Sequence, residues 1–263
     1  MNPSDENRPI RNLLLRIAYD GTDFFGWQIQ PGRPTIQGTR AAALETNCKE
    51  TVAVCGSGRT DAGVHACAQA ANVKLHSPIP CQNLVKALNR LLPESIRILS
   101  AQPVRSDFHA RHDATSKIYR YRIFRGEMCP PWLSRYVLPY PYPLDEAAIA
   151  SASRHFQGTL DFASFAAADE DDDAVEKSHV RTVFSSELSR EGEELIYTIQ
   201  GNGFLRHMVR NIVGTLIDVG RGRIGAEEIP AIIAVGSRSA AGPTAPARGL
   251  HLVSVFYPPE SLA

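Results

Sequence analysis

Strand-like and helix-like runs take turns along almost the whole chain, and that alternation restricts the fold more than any other feature. LLLRIAY (13–19) reads as a strand and stops at Asp20-Gly21, a turn signal. TIQGTRAAALETNC (35–48) opens with a Thr before an Ala-rich stretch, which predicts a capped helix. Strand-like TVAVC (51–55), a Gly-rich loop, and a second strand AQAANVKL (68–75) follow. IPCQNLVKALNRLL (79–92) has helical apolar spacing and stops at Pro93, and SIRILSAQPV (95–104) returns to strand. The second half repeats the pattern with IYRYRIF (118–124), the helical LDEAAIASASRHF (144–156), and a hairpin from HVRTVFSSEL to LIYTIQ around Ser189 to Glu194. LRHMVRNIVGTLIDVG (205–220) is a helix ending at Gly220, and GLHLVSVFY closes as a strand. These runs predict an α+β protein with mixed sheets, cut near 105–115: a polar tail (1–12), a first domain (13–110) and a second (111–263). The Pro-rich stretch 130–143 and the acidic loop 167–178 are expected as surface excursions.

At 263 residues the chain is long enough for one large or two medium domains, and two is the expected number. No apolar run reaches membrane-spanning length, and the polar start lacks the apolar core of a secretory signal, so a cytoplasmic location without a membrane partner is expected. Five scattered cysteines without a C-x-x-C pair support neither a disulfide framework nor a zinc ribbon. The net charge of zero conceals an asymmetry. Five acids sit together in DEDDD (169–173), so the rest of the chain carries +5, and only 5 of the 28 basic residues are Lys. Arg forms bidentate phosphate contacts and stacks on bases, although a high-GC genome yields the same excess.

The Gly-rich loop is GSGRTDAGVHA (56–66). Its third glycine is out of register for a dinucleotide fingerprint, and no Gly-Lys-Ser/Thr follows for a P-loop. Glycines at 56, 58 and 63 still allow positive φ or close backbone approach. Taken alone, Asp61 before Ala-Gly reads first as an Asx-turn or cap and only second as a catalytic carboxylate. His65, Cys67 and His207 lack the spacing of a metal site, and no metal is expected.

Arg210 lies in MVRNIVG beside apolar positions 208, 209, 212, 213, 216 and 217. Either it snorkels to solvent, or it is buried and needs a fixed carboxylate; Arg206 sits at i−4 on the same side of the expected helix. RSDFHARHDATSKIYRYRIFR (105–125) interleaves six Lys/Arg with aromatics and puts Tyr119 and Tyr121 on one strand face, Arg120 and Arg122 on the other. That arrangement suits RNA, and it also suits a half-buried strand with a solvated face.

GSGRTDAGVHA, together with YDGTDFFGWQ (19–28), DFHARHDATSKIYRYRIF (107–124), FLRHMVRNIVGTL (204–216) and AGPTAPARGLHLVSVFY (241–257), closely resembles the TruA family of tRNA pseudouridine synthases. The blocks fall in order from about residue 13 to 257. The resemblance implies two ferredoxin-like (RRM-like) α/β halves with a mixed, mainly antiparallel sheet around a central catalytic cleft, a homodimer, and tRNA as partner. It implies isomerisation of uridines 38 to 40 of the anticodon stem-loop, without cofactor or metal. Asp61 matches the essential aspartate, Tyr119 the tyrosine that stacks on the target base, Arg210 the basic partner of the carboxylate, and Arg59 the arginine that displaces the target nucleotide. Arg111, Arg120 and Arg206 are candidate backbone contacts. Where the family pattern has Gly before Gln, this chain has Ala68-Gln69.

Overall fold

The computed structural model describes residues 9–50, 52–167 and 178–262. Residues 1–8 of the expected tail and the acidic run 169–173 lie outside them. The chain divides into two compact units, one comprising residues up to Thr115 together with those from His251, the other Ser116–Leu250.

The first unit runs β1 (Arg11–Tyr19), α1 (Ile36–Cys48), β2 (Val54–Gly56), β3 (His65–Leu75), α2 (Cys81–Leu91) and β4 (Ile96–Pro103). Thr35 caps α1 by accepting the Gly38 N–H, as the sequence predicts. α2 ends with Leu92 as its C-cap, before Pro93, whose ring disfavours helical geometry in the preceding residue. The second unit runs β5 (Ser116–Phe124), β6 (Leu138–Pro139), α3 (Glu146–Arg154), β7 (Gly158–Asp161), β8 (Val180–Glu191), β9 (Glu194–Gly201), α4 (Met208–Gly220) and α5 (Ile229–Val235). β10 (Leu250–Phe256) then returns to the first unit.

In the first unit β1 lies antiparallel between β4 and β3. One edge of β3 is shared: its first residues His65 and Ala66 pair in parallel with His251 and Leu252 of β10, and Ala71 to Val73 pair antiparallel with β2. The βαββαβ order agrees with a ferredoxin-like half. β1 is buried on both faces, Leu13, Leu15 and Ile17 pointing to one side and Leu14 to the other, and Leu84 and Leu88 of α2 and Ile36 and Leu44 of α1 are buried with them in the core of the unit. The expected cut after residue 110 falls ahead of the observed division. The closing strand, expected in the second domain, joins the first because its register is set by β3.

In the second unit β5, β9, β8 and β7 form an antiparallel array, and β6 adds to β5 in parallel. The β8–β9 hairpin turns at Gly192, whose φ of 60° suits a residue without Cβ. The Pro-rich stretch is only partly an excursion: Trp132 and Tyr142 are exposed, whereas Val137 and Leu138 are buried where β6 meets β5. The mixed, mainly antiparallel α+β character read from the sequence is what the structure has. β7 and α5, too short to carry a period, are additions to that reading.

Candidate active site

The loop 57–64 leaves β2 and returns into β3, and its conformation is imposed from several sides. The Asp61 carbonyl accepts the Val64 N–H at 3.2 Å, closing a tight turn whose third residue, Gly63, has φ 75°. The Trp27 N–H donates to the Thr60 carbonyl at 3.0 Å, and the Gly63 N–H donates to the Phe24 carbonyl at 3.4 Å. Gly26, at φ 82°, comes so close that a Cβ there would stand 2.6 Å from the Thr60 carbonyl oxygen. The hydroxyls of Tyr19 and Thr60 share a hydrogen bond of 2.7 Å. On the far side, buried Gln69 accepts from the Ser57 hydroxyl at 2.6 Å and donates to the Gly58 carbonyl at 3.1 Å. YDGTDFFGWQ and Gln69 are therefore the clamp of RTDAGVHA, a role that neither segment shows when read separately. Of the three loop glycines, only Gly63 uses positive φ; Gly56 is needed because a side chain there would run into the Trp27 indole.

This clamp presents Arg59 at the surface and leaves Asp61 half-buried. Beneath it, the Arg40 guanidinium is wholly enclosed and lies 4.7 Å from the Trp27 ring centroid, and among the described residues none accepts a hydrogen bond from its three nitrogens. Burial pulls its pKa down to about 9 and pushes the Tyr19 hydroxyl up to about 12. His65, next to the loop, places Nδ1 3.2 Å from Asp20 Oδ1 and 3.2 Å from the Gly21 nitrogen, and stacks on His251 at 4.8 Å. Cys67 is exposed two residues on. Among the described residues no three His, Cys, Asp or Glu side chains are grouped to hold a metal ion.

In the second unit the alternation of β5 buries Tyr119 and Tyr121 and exposes Arg120. Tyr119 meets Phe204 edge to face at 5.1 Å, which fixes the ring. The Tyr121 hydroxyl donates to the Pro246 carbonyl at 2.7 Å, and burial raises its pKa. Every residue of α4 is buried except Arg210, which is half-buried. Its Nε donates to the Ala245 carbonyl at 2.8 Å, and its own carbonyl accepts the Ala245 N–H at 3.0 Å. The segment 243–246 thus orients both β5 and α4. Arg206 does not lie one helical turn before Arg210. His207 has φ 60°, the helix starts at Met208, and the exposed Arg206 belongs to the preceding turn.

The basic run 105–125 is less free than its sequence suggests. Arg122 forms two hydrogen bonds of 2.6 Å with Glu194, Arg125 donates to the Tyr140 and Tyr142 carbonyls, and Arg105 lies 3.6 Å from Asp107. Arg111, in the first unit, and Arg120, in the second, are exposed. Arg59 and Asp61 accordingly share one loop of the first unit, while Tyr119, Arg120, Arg206 and Arg210 belong to the second.

A family model described as tRNA pseudouridine synthase matches residues 16–113 and 152–258. The tRNA pseudouridine synthase A of Solibacter usitatus is 53% identical over 249 residues, covering 94% of this chain and 100% of that protein. Its namesake from Anoxybacillus flavithermus is 45% identical, with 94% and 99% covered, and that of Caldicellulosiruptor bescii 44%, with 94% and 100% covered. Among solved structures, a chain of the Cbf5-Nop10-Gar1 complex aligns at a TM-score of 0.33 and 12% identity, over 78% of this chain and 54% of that one.

Proposed function

The chain belongs to the tRNA pseudouridine synthase family, and from that premise we propose that it converts uridines 38 to 40 of the tRNA anticodon stem-loop to pseudouridine, with Asp61 as the catalytic carboxylate. The observation that supports this assignment of Asp61 is the loop 57–64. A backbone held at Thr60, Gly58 and Gly63 by separate partners sets one carboxylate at a defined place, half-buried, two residues from an exposed arginine. Preorganisation of that kind is what a displacement at carbon demands.

The reaction breaks the bond between ribose C1′ and uracil N1, turns the detached base and forms a bond from C1′ to C5. The proton lost from C5 is balanced by one gained at N1, so nothing enters or leaves overall. Asp61 attacks C1′ as a glycosidase nucleophile does, or removes the C2′ proton to give a glycal. Tyr119, its ring braced by Phe204, stacks on the freed uracil and offers its hydroxyl as the base for the C5 proton. Arg210, anchored on the Ala245 carbonyl, is the carboxylate's basic partner in this reading. A uridine of the stem must leave its stack to react, and Arg59 is assigned to take its place. Arg111, Arg120 and Arg206, all exposed, are assigned to phosphates. We also infer a homodimer acting in the cytoplasm; light scattering of the purified protein measures the first and cell fractionation the second.

The test is carbodiimide mapping of an unmodified tRNA transcript after incubation with wild type and Asp61→Ala. Pseudouridine at 38 to 40 from wild type alone, with tRNA affinity of the variant held within about tenfold, is the expected result. Turnover by Asp61→Ala overturns the residue's role. No turnover by either, with tRNA bound, turns the protein into an RNA-binding module on the same scaffold.

A further inference from the structure

Immediately before α1, the chain from Phe24 to Pro34 forms a projecting loop that the chemistry above leaves unused. Its ends are built into the clamp: Phe24 and Trp27 are buried, and their backbone groups bond the loop that carries Asp61. Between and beyond them the side chains turn outward. Phe25 is 42% exposed, Ile29 53%, and every residue from Gln28 to Pro34 is exposed. The projection is nevertheless stiff. Gln30-Pro31-Gly32-Arg33 closes with the Arg33 N–H on the Gln30 carbonyl at 3.3 Å, with Pro second and Gly32 third at φ 70°, the residue preferences of a type II turn. The Phe25 N–H donates to the Pro34 carbonyl at 2.9 Å, and the Gln30 side-chain amide donates to the Phe25 carbonyl at 2.8 Å. This turn brings the Arg33 guanidinium to 4.6 Å from the Phe25 ring centroid.

An aromatic ring left 42% open to solvent and held in place is apolar surface free to meet a partner. Of the two arginines between Phe24 and Leu44, Arg40 is buried and Arg33 is the exposed cation beside the ring, with Asp23 the nearest acid in the sequence. An aromatic face paired with an exposed guanidinium is suited to a base together with its phosphate. It is poorly suited to a lipid surface, which would ask for a larger apolar area. We propose that Phe25 and Arg33 form a nucleotide subsite, in which Phe25 stacks on an unpaired base neighbouring the target uridine and Arg33 holds its phosphate. The location follows from continuity, since Gly26 lies against the backbone of Thr60 and Asp61. The subsite deepens the reading of tRNA as substrate and rests on it for the identity of the RNA.

Binding of a fluorescent anticodon stem-loop RNA measures the subsite independently of turnover. Phe25→Ala is expected to weaken binding about tenfold and to raise KM in parallel, and Phe25→Tyr to restore both. Arg33→Ala is expected to flatten the salt dependence of binding by about one ion. Unchanged affinity in both alanine variants overturns the subsite while leaving the catalytic reading intact. A fall in kcat at unchanged affinity overturns it too, by showing that Phe25 merely props the Asp61 loop. If wild type binds the stem-loop without isomerising it, and Phe25→Ala still weakens binding, the subsite stands and the catalytic reading falls.

Discussion

Arg40 is the least expected single residue in the molecule. A guanidinium enclosed without a hydrogen-bond acceptor among the described residues is costly, and the face of Trp27 compensates only part of that cost. Arg40→Leu should therefore raise stability at neutral pH by about 1–4 kcal/mol, read as a higher midpoint in thermal or urea denaturation. The sign of its pH dependence follows from the shift. A base whose folded pKa lies near 9 and whose unfolded value is 12.5 binds fewer protons when folded between those values, so stability rises with pH there. The advantage of Arg40→Leu over wild type should accordingly shrink as pH climbs past 9. In the sequence Arg40 is an ordinary residue of an Ala-rich helix; its burial is decided by Trp27, thirteen positions away. Asp61 is the opposite case, because the motif around it singles it out among the acids of the chain. Gln69 falls between them, since a glutamine in an apolar strand signals a buried partner without saying which.

At the scale of elements, one side of the clamp on the Asp61 loop is the close approach of Gly26 to the backbone of Thr60 and Asp61, which only a residue without Cβ permits. Gly26→Ala would force a Cβ toward the Thr60 carbonyl at a φ of 82°, so the loop must shift or the substitution must strain. Turnover should drop by more than about tenfold, with a stability loss of about 1–3 kcal/mol. Single-turnover kinetics beside thermal denaturation would separate the two effects, and turnover at the wild-type rate would show that the loop tolerates displacement. The elements legible in the sequence are those long enough to display a period or a cap: β1, α1, β3, α2, β4, β5, α3, the β8–β9 hairpin and β10. α4 is legible in type and in its end at Gly220, but the apolar spacing predicts its start too early, because LRH continues that spacing while His207 leaves the helical region. The apolar face of that helix gives no sign that Asn211 and Thr215 are buried as well. Both are satisfied from outside the helix, Asn211 by donating to the Phe165 carbonyl and Thr215 by accepting the Gly242 N–H.

For the molecule as a whole, the zero net charge is an average over unlike parts. Replacing Asp169, Glu170, Asp171, Asp172 and Asp173 with serine would move the chain from 0 to +5. Association with tRNA at low ionic strength should then quicken by about threefold to tenfold, with the gain fading above about 0.15 M salt. Stopped-flow association rates across a salt series measure this, and a salt-independent gain would point to a contact rather than to the field. Two units are foreseeable from the repeated alternation of elements, but the membership of the last strand is not, because register between distant segments leaves no local mark. That last strand bears on how the protein is made. His251, which stacks on His65 beside the Asp61 loop, is translated almost two hundred residues after it. A chain still emerging from the ribosome therefore holds the first unit with one edge of β3 only partly paired, and that edge closes late, through contacts of long sequence separation. A nascent copy lacking residues 251 and 252 would carry the loop 57–64 without the strand that pairs with His65 and Ala66, so this part of the first unit is completed in one late step rather than gradually along the way.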